Sequence, residues 1–274
     1  MLSAAIIVFR EALEAALIMG IIAAATRRLP KRNFWLLIGC AAGVAGSLIV
    51  ASLTGQIAGL AEGVGQELFN AGILGLAAMM LAWHNIWMAR HGKQLAQDAR
   101  QLGQDVVSGS REMSTLALVI ALAVLREGSE SVLFLYGLIA GGEETRATVL
   151  GGATIGLLFG AMAGYGLYAG LLRIPARLFF SVTSGFILLL AAAMSSQAAR
   201  FLVQADLLSS LANPLWNTSW LLDNSSLLGR LLHTIVGYEA TPSGIQVVFY
   251  SATLLLILAG MHIFRYRPNT LASS

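Results

Sequence analysis

Charge is the scarcest commodity in this 274-residue chain. Asp, Glu, Lys and Arg together make up 11% of it, where an ordinary soluble domain carries about 25%. With 57% hydrophobic residues beside it, that shortage excludes a soluble globular protein and implies a polytopic membrane protein. There is one cysteine, Cys40, which falls inside an apolar run. A disulfide framework and a thiolate metal site are therefore both excluded, and cysteine usage says nothing of the redox compartment. The formal charge is +3 and spread over loops, so no nucleic-acid partner is expected. Histidine is sparse as well: His84, His91, His233 and His262 are scattered. None forms a Glu-x-x-His pair with the carboxylates singled out below, and di-iron carboxylate enzymes need that pair. Oxidase chemistry inside the chain is disfavoured for that reason, and His84, beside Trp83, reads as a packed interface residue.

At about 20 residues per span, the length accommodates roughly seven transmembrane helices and leaves nothing for a separate soluble domain. Seven apolar runs predict them, near 2–25, 34–58, 66–90, 113–139, 148–171, 177–204 and 244–264. The first is read as a true span, not a cleaved signal, because it lacks a basic leader and carries three charges within its apolar stretch. Basic residues mark alternate loops: Arg27, Arg28, Lys31 and Arg32; Arg90, Lys93, Arg100 and Arg111; Arg173 and Arg177; Arg265 and Arg267. The opposite loops hold Glu62, Glu143, Glu144, Asp206, Asp223 and Glu239. The positive-inside rule then puts the N-terminus outside and the C-terminus in the cytoplasm.

Against this apolar background two segments stand out, Arg10-Glu11-Ala12-Leu13-Glu14 and, 116 residues later, Arg126-Glu127-Gly128-Ser129-Glu130. Each ionisable group at that depth costs about 2.5–3.5 kcal/mol on insertion scales, so the default reading is a functional site. The expected topology sends the two segments into the membrane in opposite directions. Gly39 and Gly43 are matched at an offset of 113 by Gly152 and Gly156, and Gly72 by Gly185. The chain therefore reads as a single all-α membrane domain with an inverted three-plus-three repeat. The first repeat covers 1–90 and the second 113–204, followed by an outer loop, 205–242, and a seventh helix, 244–264.

Glu11 and Glu14 are three residues apart, as are Glu127 and Glu130, so each pair projects from one helix face. Brought together, the two pairs offer four carboxylates to one ion. Oxygen-only donors suit hard cations, whereas Cu(I) and Zn sites usually recruit Cys, Met or His. Arg10 and Arg126 are suited to hold the carboxylates bidentately and limit their repulsion, which lysine would do poorly. A purely structural ion-pair network is the competing reading, but one Arg-Glu pair would suffice for locking helices and the second carboxylate would go unexplained. Elsewhere, Gly152, Gly156, Gly160 and Gly164 form a small-residue ridge suited to close helix packing. Trp216 and Trp220 suggest that part of the outer loop lies on the membrane interface, and 91–112 reads as a short surface helix. Glu67 opens the third helix, where a solvated helix-start carboxylate and a role in ion capture both fit.

The paired motifs resemble the Arg-Glu-Gly-Leu-Glu signatures of the oxidase-dependent iron permease family, also called the iron/lead transporter family, and its bacterial branch above all. The resemblance extends over nearly the whole chain: the seven-helix layout, Gln66-Glu67-Leu68-Phe69, the Trp83 to Trp87 segment, and Gly237-Tyr238 with Pro242-Ser243 before the last helix. It implies a permease of the bacterial inner membrane that imports iron as its transported substrate, without a cofactor. It also implies that Glu11, Glu14, Glu127 and Glu130 are the iron ligands. In the family ferrous iron is oxidised outside the membrane and ferric iron crosses. Bacterial relatives work with a periplasmic cupredoxin-like protein and a haem peroxidase. The chain departs from the pattern at Ala12, where Gly is usual, at Ser129, where Leu is usual, and at Asn70, where relatives often have Glu. Ser129 either adds a hydroxyl to the site or faces a neighbour; Asn70 leaves Glu67 as the lone acid of the third helix. Asp223, by the same resemblance, is a candidate for capturing ions at the outer mouth. The alternatives are another cation such as Mn or Pb, an intramembrane carboxylate-metal enzyme, and a structural subunit.

Overall fold

The structure, a computed structural model, describes residues 1–60, 65–142, 144–170 and 176–266. Glu62, Glu143, Arg173 and Arg267 lie outside the described residues. Every regular element among the described residues is helical: α1 (Leu2–Ala25), α2 (Arg32–Leu60), α3 (Gln66–Val107), α4 (Ser114–Ala140), α5 (Arg146–Tyr168), α6 (Ala176–Gln204), α7 (Leu227–Val236) and α8 (Gly244–Tyr266). α2, α3, α5, α6 and α8 each contain a stretch long and apolar enough to cross a bilayer. α1 and α4, at 24 and 27 residues, have spanning length, but each holds the three ionisable side chains of a motif. The chain is a polytopic helical membrane protein.

Local chemistry explains several starts. Thr145 caps α5 by accepting from Thr148 N, and Ser226 caps α7 by accepting from Gly229 N at 2.9 Å. Before α8, Gln246 Oε1 accepts from both Ser243 N (2.9 Å) and Ser243 Oγ (3.0 Å), so the side chain at the third helical position reaches back to the cap residue.

Two elements depart from expectation. α3 is one unbroken helix of 42 residues, about 63 Å at 1.5 Å per residue, where a span to 90 and a separate surface helix were expected. Gly92 does not break it, since one glycine costs about 1 kcal/mol. The extension recovers more than that by packing: Ala99, Leu102 and Val106 are buried against Ile22 and Ala23 of α1, Leu36 of α2, and Leu116 and Ile120 of α4. The second departure is α7, a ten-residue helix within the expected outer loop. Its surroundings are hydrogen-bonded: Leu215 N to Pro242 O (2.8 Å), Thr218 N to Ala240 O (2.9 Å) and Tyr238 Oη to Leu222 O (2.9 Å).

The contacts divide the chain into two compact units, Met1–Phe69 with Lys93–Thr183, and Asn70–Gly92 with Ser184–Ser274. In the first, α1 packs chiefly along α5 and α2 along α4, while α1 and α4 meet over a shorter length. Glycines set the separation in both pairs. A methyl group on Gly39 or Gly43 would collide with the carbonyl oxygens of Ala117 and Ala121, and one on Gly152 or Gly156 with those of Met1 and Ala5. In the second unit Asn85 Nδ2 donates to Ser184 O (3.0 Å), Thr253 Oγ1 to Ser195 Oγ (2.8 Å) and Tyr250 Oη to Val236 O (2.7 Å), tying α3 to α6, α8 to α6, and α8 to α7.

Candidate metal centre

Both motifs lie in the first unit, one on α1 and one on α4. Helical periodicity places residues i and i+4 one above the other, and the two motifs use it identically. Arg10 Nε stands 3.0 Å from Glu14 Oε1, and Arg126 Nε 3.1 Å from Glu130 Oε1. Each guanidinium also faces the adjacent carboxylate, Arg10 to Glu11 at 3.7 Å and Arg126 to Glu127 at 3.8 Å. Each arginine thus faces both carboxylates of its own motif.

Across the α1–α4 contact the carboxylates converge. Glu11, Glu127 and Glu130 each bring an oxygen within 4.8 Å of the others. With Glu14, which lies on Arg10, the two motifs set four carboxylates against two guanidiniums, so the set is anionic and suits a multivalent cation bound through oxygen. The two halves differ in exposure. Arg10, Glu11 and Glu14 are 1–2% exposed, whereas the side chains of Arg126 and Glu130 are 38% and 15% exposed.

The hydroxyls around the second motif serve the backbone. Ser129 Oγ donates to Leu125 O (2.6 Å) and Ser131 Oγ to Glu127 O (2.9 Å), each one turn back along α4. Ser47 on α2, which the sequence did not single out, donates to Gly43 O at 3.0 Å and lies against Gly128. Only its apolar surroundings were legible; the partner 81 positions away was not.

The other predicted site residues are not brought into this cluster by contacts within the first unit. Glu67 is exposed in the first turn of α3, and Asn70 is part-buried one turn further on. Asp223 is exposed in the turn before α7, where its Oδ1 accepts from Ser225 N (2.7 Å) and Ser225 Oγ (2.5 Å). Those two bonds hold its carboxyl below the usual aspartate range. Glu239, also in the outer segment, is engaged by Asn224 and lies 3.8 Å from His233 Nδ1.

The description "Iron permease FTR1 family" matches residues 1–266. The chain is 28% identical over 273 residues to a protein of Yersinia pestis named ferrous iron permease EfeU, covering 98% of this chain and 95% of that one. It is 31% identical over 254 residues to proteins of the same name from Escherichia coli O157:H7 and Shigella sonnei, covering 91% of each chain. No solved structure matches it.

Proposed function

Because this chain belongs to the iron permease FTR1 family, we propose that it carries iron across a bacterial membrane through the carboxylates of Glu11, Glu14, Glu127 and Glu130. It is an iron-uptake permease of the multi-pass kind, not an enzyme, and iron is its substrate. The observation that carries the site assignment is the duplicate geometry: two Arg-Glu-x-x-Glu segments with matching ion-pair distances, converging from two helices of spanning length.

Seven of the helices span in this reading, α7 lying outside the bilayer, with the N-terminus outside and the C-terminus inside. Helices α1 to α3 and α4 to α6 are inverted repeats. Reciprocity supports this: α1 pairs with α5 as α4 pairs with α2. Individual contacts obey the same offsets, the Gly39–Ala117 and Gly43–Ala121 approaches of one pair recurring as Gly152–Met1 and Gly156–Ala5 in the other.

The ion in transit is ferric, formed by oxidation at the outer face; an all-oxygen, multiply charged donor set favours the harder ion. A periplasmic cupredoxin-like protein and a haem peroxidase are the partners this reading calls for. The relatives' name, ferrous iron permease, favours a second reading in which ferrous iron itself crosses. Radioiron uptake into vesicles holding only this protein separates the two. Ferric uptake that Glu14→Gln abolishes is the expected result; uptake of ferrous iron alone under strict reduction would establish the second reading, and uptake of neither would remove the site assignment.

A further inference from the structure

Below the α1 motif the first unit contains an open cavity of about 490 Å³. Its walls come from the last turns of α1 and α5, with Leu17 and Tyr168 among them, and Gly20 and Gly164 provide the room. Its lip is different. Arg100 and Gln104, four residues apart on the α3 extension, line the opening, and both are exposed. Arg100 has no carboxylate partner among the described residues. Neither have Arg27 and Arg28, exposed just past the end of α1.

From this we infer that the cavity binds an anionic phospholipid, one acyl chain lying between α1 and α5 and the phosphate meeting Arg100 and Gln104. Apolar walls on two helices of spanning length suit hydrocarbon and not a hydrated ion. Unpaired guanidiniums at a membrane surface attract anionic headgroups, and Arg100 and Gln104 together supply donors that match phosphate oxygens. Tyr168, at the end of its helix, sits where aromatic side chains favour the headgroup level. The bound chain buttresses the segment of α1 that begins one turn after Glu14, so lipid occupancy stabilises the helix carrying half of the metal centre.

The test needs no iron, so it stands apart from the transport reading. Purified protein in a neutral detergent is titrated with phosphatidylglycerol, phosphatidylcholine or inorganic phosphate, and retained lipid and the unfolding midpoint are measured. Phosphatidylglycerol should be retained and raise the midpoint, with phosphatidylcholine held about tenfold more weakly. R100Q should lose that preference, whereas R111Q, which removes a cation 3.7 Å from Asp105 on the adjoining turn, should keep it. A24F, filling the cavity from its exposed wall, should expel the lipid without removing any charge. Equal retention of both lipids, an unchanged preference in R100Q, or a midpoint shift reproduced by inorganic phosphate alone would each overturn the assignment, the last in favour of a free-anion site.

Discussion

At the scale of single residues, the candidate metal centre is a set of buried charges that are costly to leave unpaired. Glu14→Gln and Glu130→Gln keep the volume and most hydrogen-bonding capacity while removing the charge a multivalent ion requires. Each should abolish radioiron uptake in protein that still inserts and purifies; wild-type transport by either variant would remove that glutamate from the site. The arginines are chemically equivalent but not equally placed. Truncating a partner of a buried ion pair costs about 3–5 kcal/mol, which applies to Arg10. Arg126, 38% exposed, is partly screened. Arg10→Ala should therefore lower the unfolding midpoint more than Arg126→Ala, and Arg10→Lys and Arg126→Lys should both slow transport, because a compact ammonium does not hold two carboxylates in one plane as a planar guanidinium does. Equal midpoint losses from the two alanine variants would contradict the unequal burial.

At the scale of elements, one difference between the motifs, Ala12 where the second has Gly128, finds a packing reason. Gly128 lies against Ser47, while at the corresponding place in the other helix pair Ala12 lies against Gly160, its methyl 2.7 Å from where a Cβ on Gly160 would fall. Each crossing admits one side chain and one glycine, so the alanine of the first motif is permitted by the glycine facing it. Gly128→Ala should cost about 1–3 kcal/mol through overpacking and slow uptake, and Ser47→Gly should restore both. Failure of that rescue, with Ser47→Gly itself well folded, would show that Ser47 matters for more than space. The same exchange recurs at the helix ends, with Tyr136 over Gly55 and Tyr168 over Gly20. In α3, Asn70→Glu would create a Glu67/Glu70 pair on one face. If that helix captures ions, the change should improve uptake at low iron and Glu67→Gln should impair it there, with little effect at saturating iron. Indifference to both would leave Glu67 an ordinary helix-start carboxylate.

For the whole molecule, orientation is the property most open to direct measurement. In a Cys40→Ala background, cysteines at Thr145 and Ser226 should react with a membrane-impermeant thiol reagent applied from outside, and cysteines at Asn33 and Gln97 should not. Labelling of Thr145 and Asn33 from one side would break the inverted repeat. The two compact units also have a simple relation to it. One gathers α1, α2, α4 and α5, the first two helices of each expected repeat, and the other holds the central part of α3 and most of α6. Equivalent helices are thus grouped by contact and not by order along the chain.

The sequence by itself determined the membrane class, the bounds of several helices and the two charged motifs that the structure brings together. Hydropathy is a local property, and a bilayer demands that every span satisfy its own backbone; ionisable residues within such spans announce themselves by their cost. Hence α1 begins and ends as expected, and α4 and α6 do so within a residue. What the sequence could not determine depended on surfaces meeting at a distance. The α3 extension continues because Ala99, Leu102 and Val106 have a core to enter, and the strength of that burial is invisible in a segment of mixed polarity. The α1–α5 and α2–α4 pairing, the packing of Ser47 on Gly128, and the unequal exposure of two nearly identical motifs were likewise decided by tertiary structure. Close approach and burial are relations between elements, and no pattern within one of them encodes its partner.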